Sequence, residues 1–115
     1  MLQSEYNLLD RGVEREVLPY CRAHRVGFVP YHPLAGGFLT GKYEKESPRR
    51  RVPVARDRYV QRCLTDRNYN IVKHLATWAD RRGRKINELA QAWLLAQPQV
   101  CSVITGATKV EHVFE

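Results

Sequence analysis

No stretch of this chain approaches the roughly 20 consecutive apolar residues that a membrane-spanning helix needs, which sets that class aside. Met1-Leu2-Gln3-Ser4-Glu5 has neither the basic start nor the apolar run of a secretory leader, so the expected location is the cytoplasm. Cysteine is scarce: Cys21, Cys63 and Cys101 are odd in number and widely spaced, without a pair of metal-ligand type. That pattern argues against a disulfide frame or a zinc site and leaves buried reduced thiols as the expectation, with a reactive or regulatory thiol the alternative. Internal repeats are absent, and no low-complexity tract exceeds the triplet Arg49-Arg50-Arg51. Acidic residues are short in one region only. Residues 42 to 85 hold 14 of the 19 Lys/Arg and 5 of the 12 Asp/Glu, which concentrates the +7 net charge in the middle of the chain. This is the anion-facing part, suited to a phosphorylated cofactor, nucleic acid or a solvated surface.

What is present is enough for one α/β domain: 115 residues, 43% of them hydrophobic. Leu2 to Leu9 is a short strand with polar side chains toward one end, broken by Asp10-Arg11-Gly12. Val13, Val17, Leu18 and Cys21 recur at helical spacing, with Glu14 and Glu16 in the first turn, and predict a helix to about His24. Val26 to Tyr31 is a β-rich run that ends at proline and a glycine loop. Strand, helix, strand is a βαβ unit. Glu44 to Arg58 has no period and reads as a long loop, of the kind that is functional or disordered in compact domains. Thr65-Asp66-Arg67-Asn68 supplies N-cap residues for a helix that carries Val72, Leu75, Ala76 and Ala79 inward up to Gly83. The helix after Asn87 is apolar nearly all round and is expected to be mostly buried until Gln97-Pro98 stops it. Val100 to Ala107 is a third strand candidate, and Thr108-Lys109-Val110-Glu111 a capping box that opens a last helix.

The run Tyr31-His32-Pro33-Leu34-Ala35-Gly36-Gly37-Phe38-Leu39-Thr40-Gly41-Lys42-Tyr43 carries the clearest chemistry. Glycines let backbone N–H groups approach an anion, and lysine adds a mobile positive charge. Gly36-x4-Gly41-Lys42 nearly matches the triphosphate P-loop, but Tyr43 stands where a Ser or Thr hydroxyl must reach Mg²⁺, and no apolar-faced helix follows. Nucleotide hydrolysis is therefore not expected.

The same loop occurs with three other motifs in fixed order: Gln3-Ser4-Glu5-Tyr6-Asn7-Leu8-Leu9 before it, Glu88-Leu89-Ala90-Gln91-Ala92-Trp93-Leu94-Leu95 and Val103-Ile104-Thr105-Gly106-Ala107 after it. Together they resemble the C-terminal part of an aldo-keto reductase, nearest the branch that includes the potassium-channel β subunits. The resemblance covers essentially the whole chain. It implies a (β/α)8 TIM barrel of which the three strands here are the sixth to eighth, with NADP(H) across the strand ends, where barrel chemistry sits. By that resemblance residues 1–115 are one partial oxidoreductase domain, incomplete at both ends.

The resemblance places Gln3 at the nicotinamide carboxamide. Tyr31 takes the position of the aromatic ring stacked on nicotinamide; an ordinary barrel-mouth aromatic is the alternative. His32, Pro33, Leu34, Ala35 and Gly36 match the backbone around the pyrophosphate, with Lys42 its positive partner. Many relatives carry serine at the position of His32. Arg56 falls near the arginine that closes over the cofactor, or is a solvated surface arginine. Gly106, Thr108, His112 and Glu115 match the segment around the adenosine 2′-phosphate and adenine. Independently, Thr108 at a helix N-terminus suits an anion.

The family reduces carbonyls with a tetrad of Asp, Tyr, Lys and His drawn from the first half of the barrel, which has no counterpart here. A complete barrel takes roughly 250 residues, so the chain reads as a fragment or truncated product. It is expected to be inactive alone, with the small-molecule carbonyl substrate belonging to the complete barrel. Open strand edges must pair or be covered, which makes a complementing chain or a second copy the expected partner. A rival class, a basic nucleic-acid module, would use Arg49, Arg50, Arg51, Arg58, Arg62 and Arg67 with Tyr59 and Tyr69, but no recognition motif accompanies them.

Overall fold

The computed structural model describes residues 1–43, 45, 54–107 and 109–114, with residues 54–57 described in their backbone alone. Strands β1 (Leu2–Glu5) and β2 (Phe28–Tyr31) pair in parallel, with Leu2 opposite Phe28, Gln3 opposite Val29, Ser4 opposite Pro30 and Glu5 opposite Tyr31. Their crossover carries a 3-10 turn (Gly12–Glu14) and helix α1 (Val17–Ala23), the expected βαβ unit. The α-helix starts later than the apolar spacing predicts. Pro19 has no N–H to give to a carbonyl four residues back, so it is tolerated in a first turn and not deeper in a helix.

Three helices follow: α2 (Val54–Cys63), α3 (Asp66–Asp80) and α4 (Ile86–Leu95). The Thr65 hydroxyl accepts from the Asn68 N–H at 3.2 Å, capping α3 as expected. At α4 the Glu88 carboxylate accepts from the Lys85 N–H at 2.7 Å. Helix α2 is a correction, because it occupies the last part of the segment expected to be an aperiodic loop. Residues 44 and 46–53 of that segment lie outside the described residues. The burial of α4 is also narrower than expected. Ile86, Ala90 and Leu94, one turn apart, are buried, while Ala92, Leu95 and Ala96 are exposed.

The third strand candidate is reduced to a single parallel bridge between Val100 and Phe28. Phe28 is bonded on both sides, its N–H to Gln99 O at 2.9 Å and its O to Cys101 N at 3.0 Å. The next β2 residue facing this way is Pro30, which has no N–H to donate. Its carbonyl accepts from Ile104 N at 3.3 Å, one residue later than regular pairing would place the donor, so the ladder lapses. The last helix is a 3-10 turn over Val110–Val113. Val110, Val113 and Phe114 are all strongly exposed, and a single turn without packing does not propagate.

Two apolar clusters form. Leu2 and Phe28 turn toward α1 and α4 and pack with Tyr6, Val13, Leu18, Cys21 and Leu94. Strand alternation then puts Gln3, Glu5, Val29 and Tyr31 on the opposite sheet face. The second cluster is built on a 3-10 segment (Ala35–Thr40), whose Ala35, Phe38 and Leu39 pack with Cys63, Val72, Ile86 and Ala90. Three residues of the glycine run are therefore core.

Candidate functional site

Tyr31 closes β2 and is 39% exposed, on the sheet face that also carries Gln3 and Glu5. The backbone then turns sharply, with left-handed φ at His32 (+55°), Ala35 (+49°), Gly36 (+66°) and Gly37 (+93°). Two non-glycine residues in that region within four positions mark strain, of order 1–3 kcal/mol each, which persists only where surroundings enforce it. A Cβ on Gly36 would lie 2.8 Å from Val60 Cγ2, and one on Gly37 2.6 Å from Lys42 Nζ. Lys42 thus lies folded over the glycine turn, its ammonium 5.3 Å from the Tyr43 ring centre.

The loop spends much of its own donor capacity. The N–H groups of Ala35, Gly37, Leu39 and Gly41 bond to carbonyls within the segment, at 2.8 to 3.3 Å. Pro33 and Ala35 are buried, so their side chains are not open to a ligand. Gln3, the half-exposed Tyr31 and His32, and Lys42 are the accessible groups. An aromatic face, an amide and a folded-back ammonium fit a nicotinamide ring and a diphosphate.

Residues that sequence reasoning gave no role in the site hold this end together. Asn7 is fully buried and fully bonded. Its Nδ2 donates to His32 O and Tyr59 OH, both at 3.0 Å, and its Oδ1 accepts from Leu9 N and Asp10 N, both at 2.9 Å. Tyr59 on α2 lies against the His32 ring, 4.7 Å between centres, and under Gly36. Burial, then hydrogen bonding to the Glu5 carboxylate, drives the Tyr59 phenol far above the ordinary tyrosine range. Glu5 Oε1 is buried without a hydrogen-bond partner, 3.6 Å from His32 Nδ1. Burial also pushes the Cys63 thiol up. The signal for Asn7 lay in its own motif; nothing in the sequence tied Tyr59 to it.

Gly106 and His112 are exposed on the terminal segment, Thr108 and Glu115 lie outside the described residues, and the side chain of Arg56 does too. Among the described residues no group of His, Cys, Asp and Glu could hold a metal ion, and no helix is long and apolar enough to cross a membrane. Cys101 is exposed, a correction to the expectation of buried thiols, whereas Cys21 and Cys63 are buried. An open depression of about 570 Å³ lined by Glu14, Leu18, Arg22 and Gln99 includes none of these residues.

The family model described as the aldo/keto reductase family matches residues 1–115. The chain belongs to the aldo/keto reductase family. It is 39% identical over 117 residues to a probable voltage-gated potassium channel subunit beta of Arabidopsis thaliana, covering 98% of this chain and 36% of that protein. It is 34% identical to the L-glyceraldehyde 3-phosphate reductase of Escherichia coli K12, covering 98% and 34%, and 33% identical to an NADH-specific methylglyoxal reductase of the same strain, covering 100% and 35%. In structure it resembles a glycerol dehydrogenase of Gluconobacter oxydans, with a TM-score of 0.71, 26% identity, and 88% of this chain on 31% of that one. This aldo/keto reductase chain therefore spans about a third of the length of the relatives it matches. The resemblance read from the four ordered motifs is borne out, and the α/β architecture with it.

Proposed function

We propose that these residues are the cofactor side of a nicotinamide-dependent carbonyl reductase, the sixth to eighth strand portion of an aldo/keto reductase barrel, and that the cofactor is NADP(H). The observation that carries the reading is the end of β2. There the half-exposed Tyr31 shares a face with Gln3, and the left-handed turn that follows is covered by the Lys42 ammonium. Gln3 and Tyr31 hold the nicotinamide, the backbone of His32 to Gly36 with Lys42 the pyrophosphate, and Gly106, Thr108, His112 and Glu115 the adenosine 2′-phosphate end, with Arg56 near the arginine that closes over the cofactor. Bound NADPH supplies the hydride that converts an aldehyde or ketone to an alcohol in the whole enzyme. The 115 residues contain no match to the family's Asp, Tyr, Lys and His tetrad, so alone they bind without turning over. The reading places the protein in the cytoplasm, with a complementing chain or a second copy completing the barrel.

The similarity to a protein named as a potassium channel subunit favours a second reading: a non-catalytic NADP(H)-binding module that serves a partner. A nucleic-acid role is disfavoured, because Tyr59 and Tyr69 are packed against the loop cluster instead of being free to stack on bases. Titration with NADPH is expected to give saturable quenching of Trp78 or Trp93 fluorescence, weaker with NADH, and NADPH mixed with an aldehyde should be consumed no faster than in buffer. Absence of saturable quenching sinks the binding reading; consumption above buffer sinks the inactivity of the isolated chain.

A further inference from the structure

Three elements separate in sequence meet beneath the Tyr31–His32 turn: the tail of β1 through Glu5 and Asn7, the turn itself, and α2 through Tyr59. We infer that Tyr59, coupled through Asn7, is a positioning residue that sets the nicotinamide end of the site; this rests on the dinucleotide reading above.

The geometry makes the Tyr59 hydroxyl the junction. It accepts from Asn7 Nδ2 at 3.0 Å, while the same Asn7 Nδ2 donates to the His32 carbonyl at 3.0 Å. That carbonyl also accepts from Ala35 N at 2.9 Å, so the His32 oxygen is held from both sides of a residue whose φ of +55° is unfavourable for an L side chain. The Tyr59 ring meets the imidazole 4.7 Å away and stands 3.4 Å from where a Cβ on Gly36 would be. The His32 imidazole in turn meets the Tyr31 ring edge-on, 5.3 Å between centres. A shift of Tyr59 therefore reaches Tyr31 through one ring. Asn7 is fully buried and the partly buried Tyr59 spends its hydroxyl on Asn7 and its ring on His32, so their action is indirect.

The test uses the full chain with two ligands, NADPH and adenosine 2′,5′-bisphosphate, which lacks the nicotinamide half. Affinities are measured at a temperature where each variant is fully folded. Tyr59→Phe keeps the ring and removes the hydroxyl. It is expected to raise the Kd for NADPH roughly three- to tenfold, the effect of one buried hydrogen bond, and to leave the bisphosphate Kd unchanged. Asn7→Asp keeps an oxygen for the Leu9 and Asp10 amides and loses the donor, so it should show the same selectivity. The double variant should lose no more than the larger single effect, because both act on one junction. A mere folding role would weaken both ligands together, and that result overturns the proposal, as does an unchanged NADPH affinity. A wild-type chain that binds neither ligand overturns the dinucleotide reading itself, and this inference with it.

Discussion

Gly36 stands in the left-handed turn of the site directly against a buried side chain. Its φ of +66° is left-handed, and a methyl there would press on Val60 Cγ2 at 2.8 Å, an atom of a buried side chain. Gly36→Ala is expected to destabilise the chain by about 2 kcal/mol or more, the combined effect of an αL alanine and overpacking, read as a lower urea midpoint. An unchanged midpoint would show that the turn relaxes freely. Gly37→Ala meets the flexible end of Lys42 instead, so its steric cost should be smaller, although its φ of +93° is strained too. The thiols offer a second residue-level test. A thiol reagent should label Cys101 quickly, while Cys21 and Cys63 stay protected until unfolding; burial also holds the Cys63 thiol in its less nucleophilic protonated form. Fast labelling of more than one thiol in the native chain would contradict this burial.

At the scale of elements, the segment between β1 and α1 is held by a polar cluster facing the first apolar core. Arg11 grips the Glu14 carboxylate with two donors, at 2.8 and 3.0 Å, and Tyr6 OH donates to the same carboxylate at 2.8 Å. The Arg11 guanidinium also lies 5.2 Å from the Trp93 ring centre, which ties this segment to α4. These partners, Arg11 first, hold the Glu14 carboxyl below the usual carboxylate range. A depressed carboxyl stabilises the fold above its unfolded-state value and loses that contribution as pH falls through the folded one. Stability is therefore expected to drop on acidification below about pH 4, and Glu14→Gln should flatten that drop, as seen in urea midpoints across the range. Identical acid profiles for the two proteins would rule out this contribution.

Across the whole molecule, the sheet is two strands and one bridge. Among the described residues β1 pairs with β2 alone, so its other edge presents unpaired backbone groups, and the lapsed ladder after Val100 leaves a second irregular edge. Exposed parallel edges recruit other strands. The chain expressed alone is expected to elute from a sizing column above its 13.4 kDa monomer mass, and, on the barrel portion proposed above, to shift toward a defined complex when the complementary part of the barrel is supplied as a second polypeptide. Elution as a concentration-independent monomer would show that the edges are already covered. The exposed Leu95 and Ala92 on α4 belong with this picture, since that helix was expected to be enclosed nearly all round.

Local signals carried a good part of this architecture. The βαβ order, the Thr65 cap, the Val72 to Ala79 stripe and the glycine turn all follow from residue type and spacing, because propensity, capping and periodicity act within a few positions. The four ordered motifs were enough to place the chain in its family. What required the tertiary structure was every long-range pairing. Pro30 could be read as the end of a strand, but its missing N–H mattered only once the Val100 segment lay beside it. Helix α2 was hidden because five of its ten residues are charged or amide side chains and Pro53 with the arginine triplet stands just before it. Asn7 and Tyr59 lie 52 positions apart, and their bond exists only where folding brings β1, the glycine turn and α2 to one point.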